Sequence, residues 1–371
     1  LERIKKREVG QLLTQPTIVA PSTPISKIVG ALKQINGYEV FVEGKNKIRM
    51  VTLRDILRAS NVTTAKAETL AFFVPKLEAG STVHEAARLM MEYHIRALPI
   101  MDGTAMRGTI TAPSIINAMQ DTGDLKYTAA NIMTSHPTAL DVDDLASKAR
   151  QLMIRRRIDH LPVLSTQGLE GVVTSSHLVF NMFRATETME RSTIIAEEQR
   201  KLEFPVSRIM DRHPVTCQPN DGITPALAEM HRLGATYTLV QLWEEVQGII
   251  TYRDYLKLLV EDVERDSVPI YIVGLPEDPF EAEMARSKFR KTVEFLRKGL
   301  PYIEEAKSTI RMFPARGKAR RRFEVKVSVV TPKKVYTYTE TGWELSSVFD
   351  AISDKLKKML QRRRRARPQR R

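Results

Sequence analysis

The sequence predicts a chain of two parts: a repeated α/β module, then a smaller α+β domain whose elements run in the order βαβββα. Three observations predict it. One strand-to-helix junction recurs four times within residues 9–262. Beyond about Pro269 the recurrence stops, and one run of alternating and helical patterns replaces it. The charge divides the same way. Residues 1–264 hold 31 Lys and Arg against 31 Asp and Glu, whereas residues 265–371 hold 27 against 13, so the net charge of +14 is wholly C-terminal. A chain of 371 residues exceeds one ordinary domain of about 100–200 residues, and 42% hydrophobic with 27% charged residues fits folded rather than disordered protein.

Each repeat reads as an apolar helix, a β-branched strand, a turn, a second strand ending in Thr, and a closing helix. The junctions are Met50-Val51-Thr52-Leu53-Arg54-Asp55, Thr109-Ile110-Thr111-Ala112-Pro113-Ser114, Val172-Val173-Thr174-Ser175-Ser176-His177 and Ile249-Ile250-Thr251-Tyr252-Arg253-Asp254. Their Thr residues lie 59, 63 and 77 positions apart, the last gap widened by a charged segment at 186–203 that reads as helix. Upstream, Arg96-Ala97-Leu98-Pro99-Ile100 and Asp159-His160-Leu161-Pro162-Val163 each close a helix and open a strand. Ile132-Met133-Thr134-Ser135-His136-Pro137-Thr138 and Ile209-Met210-Asp211-Arg212-His213-Pro214 begin the third and fourth repeats.

These residues resemble the CBS domain family, whose units start with an Ile-Met-x-x-x-Pro-like stretch and end with a Gly-h-h-Thr-x-x-Asp junction, h being apolar. The fourth repeat, Gly248 through Asp254, carries the fullest signature. The resemblance implies two paired modules, residues 1–127 and 128–263, with clefts that bind adenine nucleotides (AMP, ADP or ATP) in some members. No ligand is required for folding. It places the Thr hydroxyl near phosphate or ribose and the Asp carboxylate on ribose hydroxyls. Thr52 with Asp55 and Thr251 with Asp254 match fully, while Thr111 and Thr174 lack the acid because Ser114 and His177 replace it. With or without a ligand, Thr-x-x-Asp is a helix N-cap in which each side chain satisfies the other residue's backbone N–H.

In the second part, Ile270-Tyr271-Ile272-Val273-Gly274 predicts a strand, and Pro276-Glu277-Asp278-Pro279 a helix start. Ala285, Phe289, Val293, Leu296 and Leu300 form a helical stripe. Strands follow at Thr309–Phe313, Phe323–Val329 and Val335–Thr339, the first two separated by a basic loop. Leu345, Val348, Phe349, Ile352, Leu356 and Met359 mark a closing helix.

This order, with the helix ending Asp354-Lys355-Leu356-Lys357-Lys358, resembles the ribosome hibernation-promoting factor family over residues 264–361, ahead of an Arg-rich tail at 362–371. The resemblance implies binding to small-subunit rRNA, with the large subunit as a further partner. The cations expected on RNA are Lys288, Arg290, Lys291, Arg297, Lys298, Lys355 and Lys358 on helices. Arg316, Lys318, Arg320, Arg321 and Arg322 would act from the loop, and Arg362, Arg363, Arg364 and Arg365 from a tail that orders on RNA.

Other classes are disfavoured. No His-Glu-x-x-His spacing points to a metal site, Gly317-Lys318 and Gly44-Lys45 lack a phosphate-loop context, and no serine sits in a nucleophile elbow, so no catalytic residue is expected. One cysteine, Cys217, excludes a disulfide within the chain. No apolar run approaches the ~20 residues of a membrane helix. The first residue is Leu, so the natural N-terminus is not fixed by this sequence. The expectation is a cytoplasmic, non-enzymatic hibernation or translation-silencing factor, with dimerisation through the CBS part left open. Its alternatives are a CBS-controlled DNA-binding regulator and a nucleotide sensor with a basic anchor.

Overall fold

The computed structural model describes residues 1–44, 47–59, 64–123, 125–184, 202–243, 245–261, 268, 270–276, 278–300, 303, 305–313, 321–332 and 334–365. The chain forms two compact units, Leu1–Val263 and Glu264–Arg371.

In the first unit all four repeats adopt one plan. The second, for example, runs helix Val83–Tyr93, strand Ala97–Asp102, strand Ala105–Thr111 and helix Ala112–Gln120. Its four hairpins share one register, pairing Glu39 with Thr52, Ala97 with Thr111, His160 with Thr174 and Tyr237 with Thr251. Every first helix ends on a left-handed residue: Asn36 (φ 48°), His94 (55°), Arg157 (55°) and Gly234 (62°). Such a residue turns the chain from helix to strand. Each strand pair then closes on a Thr that opens the second helix, as expected of the cap. Thr52 Oγ1 accepts from Asp55 N at 3.3 Å while Asp55 Oδ2 accepts from Thr52 N at 3.1 Å.

Consecutive repeats exchange their lead-in strands. Phe72–Phe73, which leads into the second repeat, pairs with Lys47–Thr52 of the first, and Thr134–Ser135, which leads into the third, pairs with Glu245–Thr251 of the fourth. The helices cross-link the pairs. Helices of the first repeat pack on those of the third through Ile56, Leu57, Ala149, Met153 and Leu178. Those of the second pack on the fourth through Val83, Ala86, Ile116, Tyr255 and Leu259. Burying each large apolar side chain contributes about 1.5–3 kcal/mol, so the four helix layers meet at a fixed centre.

The second unit has the predicted order, with its last three strands and closing helix longer than expected: Ile270–Val273, Pro279–Arg297, Glu305–Phe313, Arg322–Thr331, Lys334–Gly342 and Leu345–Arg365. The first two strands are parallel and the rest antiparallel. Both helices pack on one face through Phe289, Val293, Phe349 and Leu356 against Val325 and Val327. Gly274 is required where it stands: its φ is +74°, and a Cβ there would lie 2.1 Å from the Ile310 carbonyl oxygen.

One boundary needs correction. The closing helix continues to Arg365, so the first four residues of the expected tail are helical, because the run Gln361–Arg365 contains no helix breaker. The expected helical insert lies outside the described residues except for Leu202 and Glu203. Among the described residues no helix is long and apolar enough to cross a membrane.

Candidate functional site

The centre of the first unit is built from one position used four times. Tyr38, Arg96, Asp159 and Thr236 each precede the first core strand of their repeat. In three of them the backbone carbonyl accepts the first N–H of the repeat's closing helix, at 3.0, 2.7 and 2.9 Å. That shared geometry aims their side chains at one another. Asp159 accepts from Tyr38 Oη at 2.9 Å, from Arg54 Nη2 at 2.6 Å and from Arg96 Nη2 at 3.2 Å. The Arg96 guanidinium also lies 3.9 Å over the Tyr38 ring. Arg54 and Asp159 are 9% and 8% exposed, so this cluster is inside the protein. Burial alone would raise the Asp159 carboxyl, but Arg96 and Arg54 hold it down at about 2.

A cavity of about 360 Å³ opens beside this cluster toward the fourth repeat. Its lining combines apolar Met90, Ile95, Pro137, Ile158 and Ile249 with the cations Arg54, Arg96, Arg156, Arg157 and Arg253. Only Asp159 and Asp254 supply negative charge to its lining, so guanidiniums outnumber carboxylates by three. Asp254 is held in place: its Oδ2 accepts from Thr251 N at 2.7 Å and Oγ1 at 2.8 Å, and its Oδ1 accepts from Thr134 Oγ1 at 2.8 Å. Burial raises the Asp254 carboxyl against the pull of those hydrogen bonds. Arg253 donates to His94 Nδ1. Burial, then the charge of Arg253, lower His94 to about 4, so the ring is a neutral acceptor near pH 7. His160 Nε2 lies 2.7 Å from Thr236 Oγ1, and burial followed by Arg96 lowers it to about 3.

Of the residues expected to hold a nucleotide, Thr251 and Asp254 line the cavity. Thr52, Asp55, Thr111 and Thr174 lie outside that lining and cap helices: Asp55 also pairs with Arg58 at 3.6 Å, Thr111 Oγ1 accepts from Ser114 N and Thr174 Oγ1 from His177 N. The sequence reading missed Tyr38, Arg54, His94, Arg96, Arg157, Asp159 and Arg253. One signal was available: a charged residue, Arg96 or Asp159, immediately before a largely apolar strand.

In the second unit Arg290, Lys291, Arg297 and Lys298 are exposed on one face of helix Pro279–Arg297, and Lys358 is exposed on the closing helix. Lys288 and Lys355 form ion pairs with Asp350 and Glu340, so these two charges are partly neutralised inside the fold. Arg321 and Arg322 are exposed at the start of the third strand. Arg316, Lys318 and Arg320, and the side chains of Arg362, Arg363, Arg364 and Arg365, lie outside the described residues.

Comparison with known proteins bears on the first unit most directly. The CBS domain family matches residues 8–62, 74–121, 129–184 and 206–261. An uncharacterized protein of Methanocaldococcus jannaschii is 24% identical over 337 residues, covering 88% of this chain and 79% of that protein; the match is longer than the first unit and so reaches into the second. The inosine-5'-monophosphate dehydrogenase of Korarchaeum cryptofilum is 34% identical over 100 residues, which is 27% of this chain and only a fifth of the dehydrogenase. Among solved structures, a Methanocaldococcus jannaschii protein proposed as an archaeal homolog of g-AMPK superposes with a TM-score of 0.60 at 18% identity, over 68% of this chain and all of that one, a likeness of fold.

Proposed function

This chain belongs to the CBS domain family, with four such domains in its first unit, and on that premise we propose that it is a binding protein, not an enzyme, which takes an adenine nucleotide in the central cavity and RNA on its second unit. The observation that carries the nucleotide reading is the excess of three guanidiniums over carboxylates in a cavity of about 360 Å³. Cations brought together repel one another until an anion joins them, most strongly where, as at Arg54 and Arg96, they are withdrawn from water. The volume lies in the range of small-molecule sites, which combine apolar walls with a few fixed polar groups. The base lies against the apolar lining residues, Asp254 accepts from the ribose hydroxyls, and Arg54, Arg96, Arg157 and Arg253 bind the phosphates. A further feature supports the reading: a fold likeness links the unit to the g-AMPK relative.

Calorimetric titration of the full chain with AMP, ADP and ATP tests this. Arg253→Ala removes a charge-assisted bond of about 1.5–3 kcal/mol, so affinity should fall about ten- to a hundredfold, while Thr174→Ala leaves it unchanged. Absence of binding, or indifference to Arg253→Ala, rejects the site.

For the second unit, the C-terminal charge excess and the exposed cations of helix Pro279–Arg297 support RNA as the partner, and the βαβββα order supports the small ribosomal subunit as its source. The protein then acts in the cytoplasm as a hibernation or translation-silencing factor whose CBS unit senses nucleotide. Co-sedimentation of the full chain with ribosomal subunits at 50 and 500 mM salt decides. Salt-sensitive pelleting with the small subunit, lost in Lys291→Glu/Arg297→Glu/Lys298→Glu, is expected. Equal affinity for duplex DNA would favour a transcription regulator, and nucleotide binding with no nucleic-acid binding would favour a sensor.

A further inference from the structure

The helices of the second unit cover one face of its sheet and leave the other to side chains of a different character. Along strand Arg322–Thr331, Phe323, Val325, Val327 and Val329 are buried, and the alternate residues Arg322, Glu324, Lys326 and Ser328 point away from the helices. The register places Phe313 opposite Arg322. Arg322 donates to Thr341 Oγ1 at 3.1 Å on the neighbouring strand, and its guanidinium lies 6.0 Å from the centre of the Trp343 ring. Phe313 is 45% and Trp343 59% exposed. Two exposed aromatic rings thus bracket an arginine at one end of the sheet face that the helices leave uncovered.

Neither ring is placed there by the core, because the helix side is already filled by Phe289, Phe349 and the valines. The nearby charge is mainly positive: Arg311 and Lys326 are exposed on the same face, and Glu324, which pairs with Arg311 at 3.6 Å, is the acid interleaved with them. Aromatic faces between cations and hydroxyls suit a partner that presents flat rings and phosphates together. Duplexes hide their rings in the stack; single strands offer them.

We propose that this open sheet face, rather than the helices, binds unpaired RNA, with bases stacked on Phe313 and Trp343 and phosphates held by Arg311, Arg322 and Lys326. The inference rests on the RNA reading of the second unit and assigns it a surface and a strand state. It separates the role of the sheet from that of the helix cations: Arg290, Lys291, Arg297 and Lys298 would add salt-dependent attraction, and the sheet would supply contact with bases.

The sequence contains two tryptophans, so Trp243→Phe in the full chain leaves Trp343 as the sole reporter. That variant is titrated with a labelled 12-nucleotide oligouridylate and with a 12-base-pair RNA duplex, following both label anisotropy and tryptophan emission. The expected result is tighter binding of the single strand with quenched Trp343 emission. Phe313→Ala and Trp343→Ala should each weaken single-strand binding about five- to a hundredfold, from stacking worth about 1–3 kcal/mol per base. Trp343→Phe, which keeps a ring, should retain most of the affinity. Both rings are exposed, so these substitutions leave the core intact. Binding with unchanged Trp343 emission and indifference to Phe313→Ala would overturn the sheet assignment while leaving RNA binding to the helices. Equal affinity for the duplex would overturn it likewise. No anisotropy change with either RNA would defeat both the assignment and the RNA reading beneath it.

Discussion

The two units hold positive charge in opposite ways. In the first, acids and bases are nearly equal in number, 30 against 31, yet Arg54 and Arg96 are drawn into the interior around Asp159. In the second, cations exceed acids by 13, and the exposed ones among the described residues stand on helix and strand surfaces. The difference follows from the shape of the anion each arrangement can serve. A few buried charges act in a low dielectric on a compact ligand, and salt screens them little; many exposed charges act through water on an extended polyanion, and salt screens them within about 10 Å at 0.1 M.

The largest effect should come from removing the acid that organises the buried set. Asp159→Ala leaves Arg54 and Arg96 without their carboxylate and Tyr38 without its acceptor. Breaking a buried pair from one side costs about 3–5 kcal/mol. Urea unfolding followed by Trp243 in a Trp343→Phe background should show that loss, whereas Trp343 in a Trp243→Phe background should report an unaltered second unit. Added AMP should restore part of the loss by mass action, because the freed cations retain an anion site. Simultaneous loss in both units would break the contrast.

Acid should separate the units next. His160 is held at about 3 in the folded protein, chiefly by burial, against about 6.5 when unfolded. A depressed histidine contributes its stability above pH 6.5 and loses it as pH falls toward 3, because the unfolded chain takes up the proton first. Between pH 7 and 5 the first unit should lose on the order of 2 kcal/mol from this group. His160→Gln should flatten the slope of unfolding midpoint against pH. His94, held at about 4, adds in the same direction, whereas Asp159 enters only below about pH 4.

How much of this was legible in the sequence follows the same division. The repeats, their Thr caps and the βαβββα order are local patterns of period two or 3.6, and each appears where the sequence put it. Two residues of the cavity lining could be read as well, since Thr251 and Asp254 belong to one contiguous junction. The rest could not. Tyr38, Arg96 and Asp159 occupy one structural position but differ in residue type, so the repeat alignment hides them. Their partners stand 63 to 121 residues away, in other repeats. His94 and Arg157 terminate helices where glycine or asparagine usually signals the stop, so no local rule marked them. On the second unit, clustering identified the cations, but it gave equal weight to Lys288 and Lys355, which the fold pairs with Asp350 and Glu340.

The smallest effects test the exposed charges. Single Lys291→Gln, Arg297→Gln and Lys298→Gln substitutions should change unfolding free energy by no more than about 0.5 kcal/mol. Each should reduce the slope of log affinity against log salt by about 0.7 if its phosphate partner is single-stranded, or about 0.9 if it is duplex. The same salt series run on AMP binding sharpens the contrast, because a ligand that reaches Arg54 and Arg96 meets charges that are shielded from mobile ions. Its affinity should fall much less over the range that abolishes RNA binding. A nucleotide affinity that falls as steeply would mean that the phosphates reach only the exposed Arg156 and Arg157 at the rim of the cavity, and that the first unit recognises its anion by the surface chemistry assigned to the second.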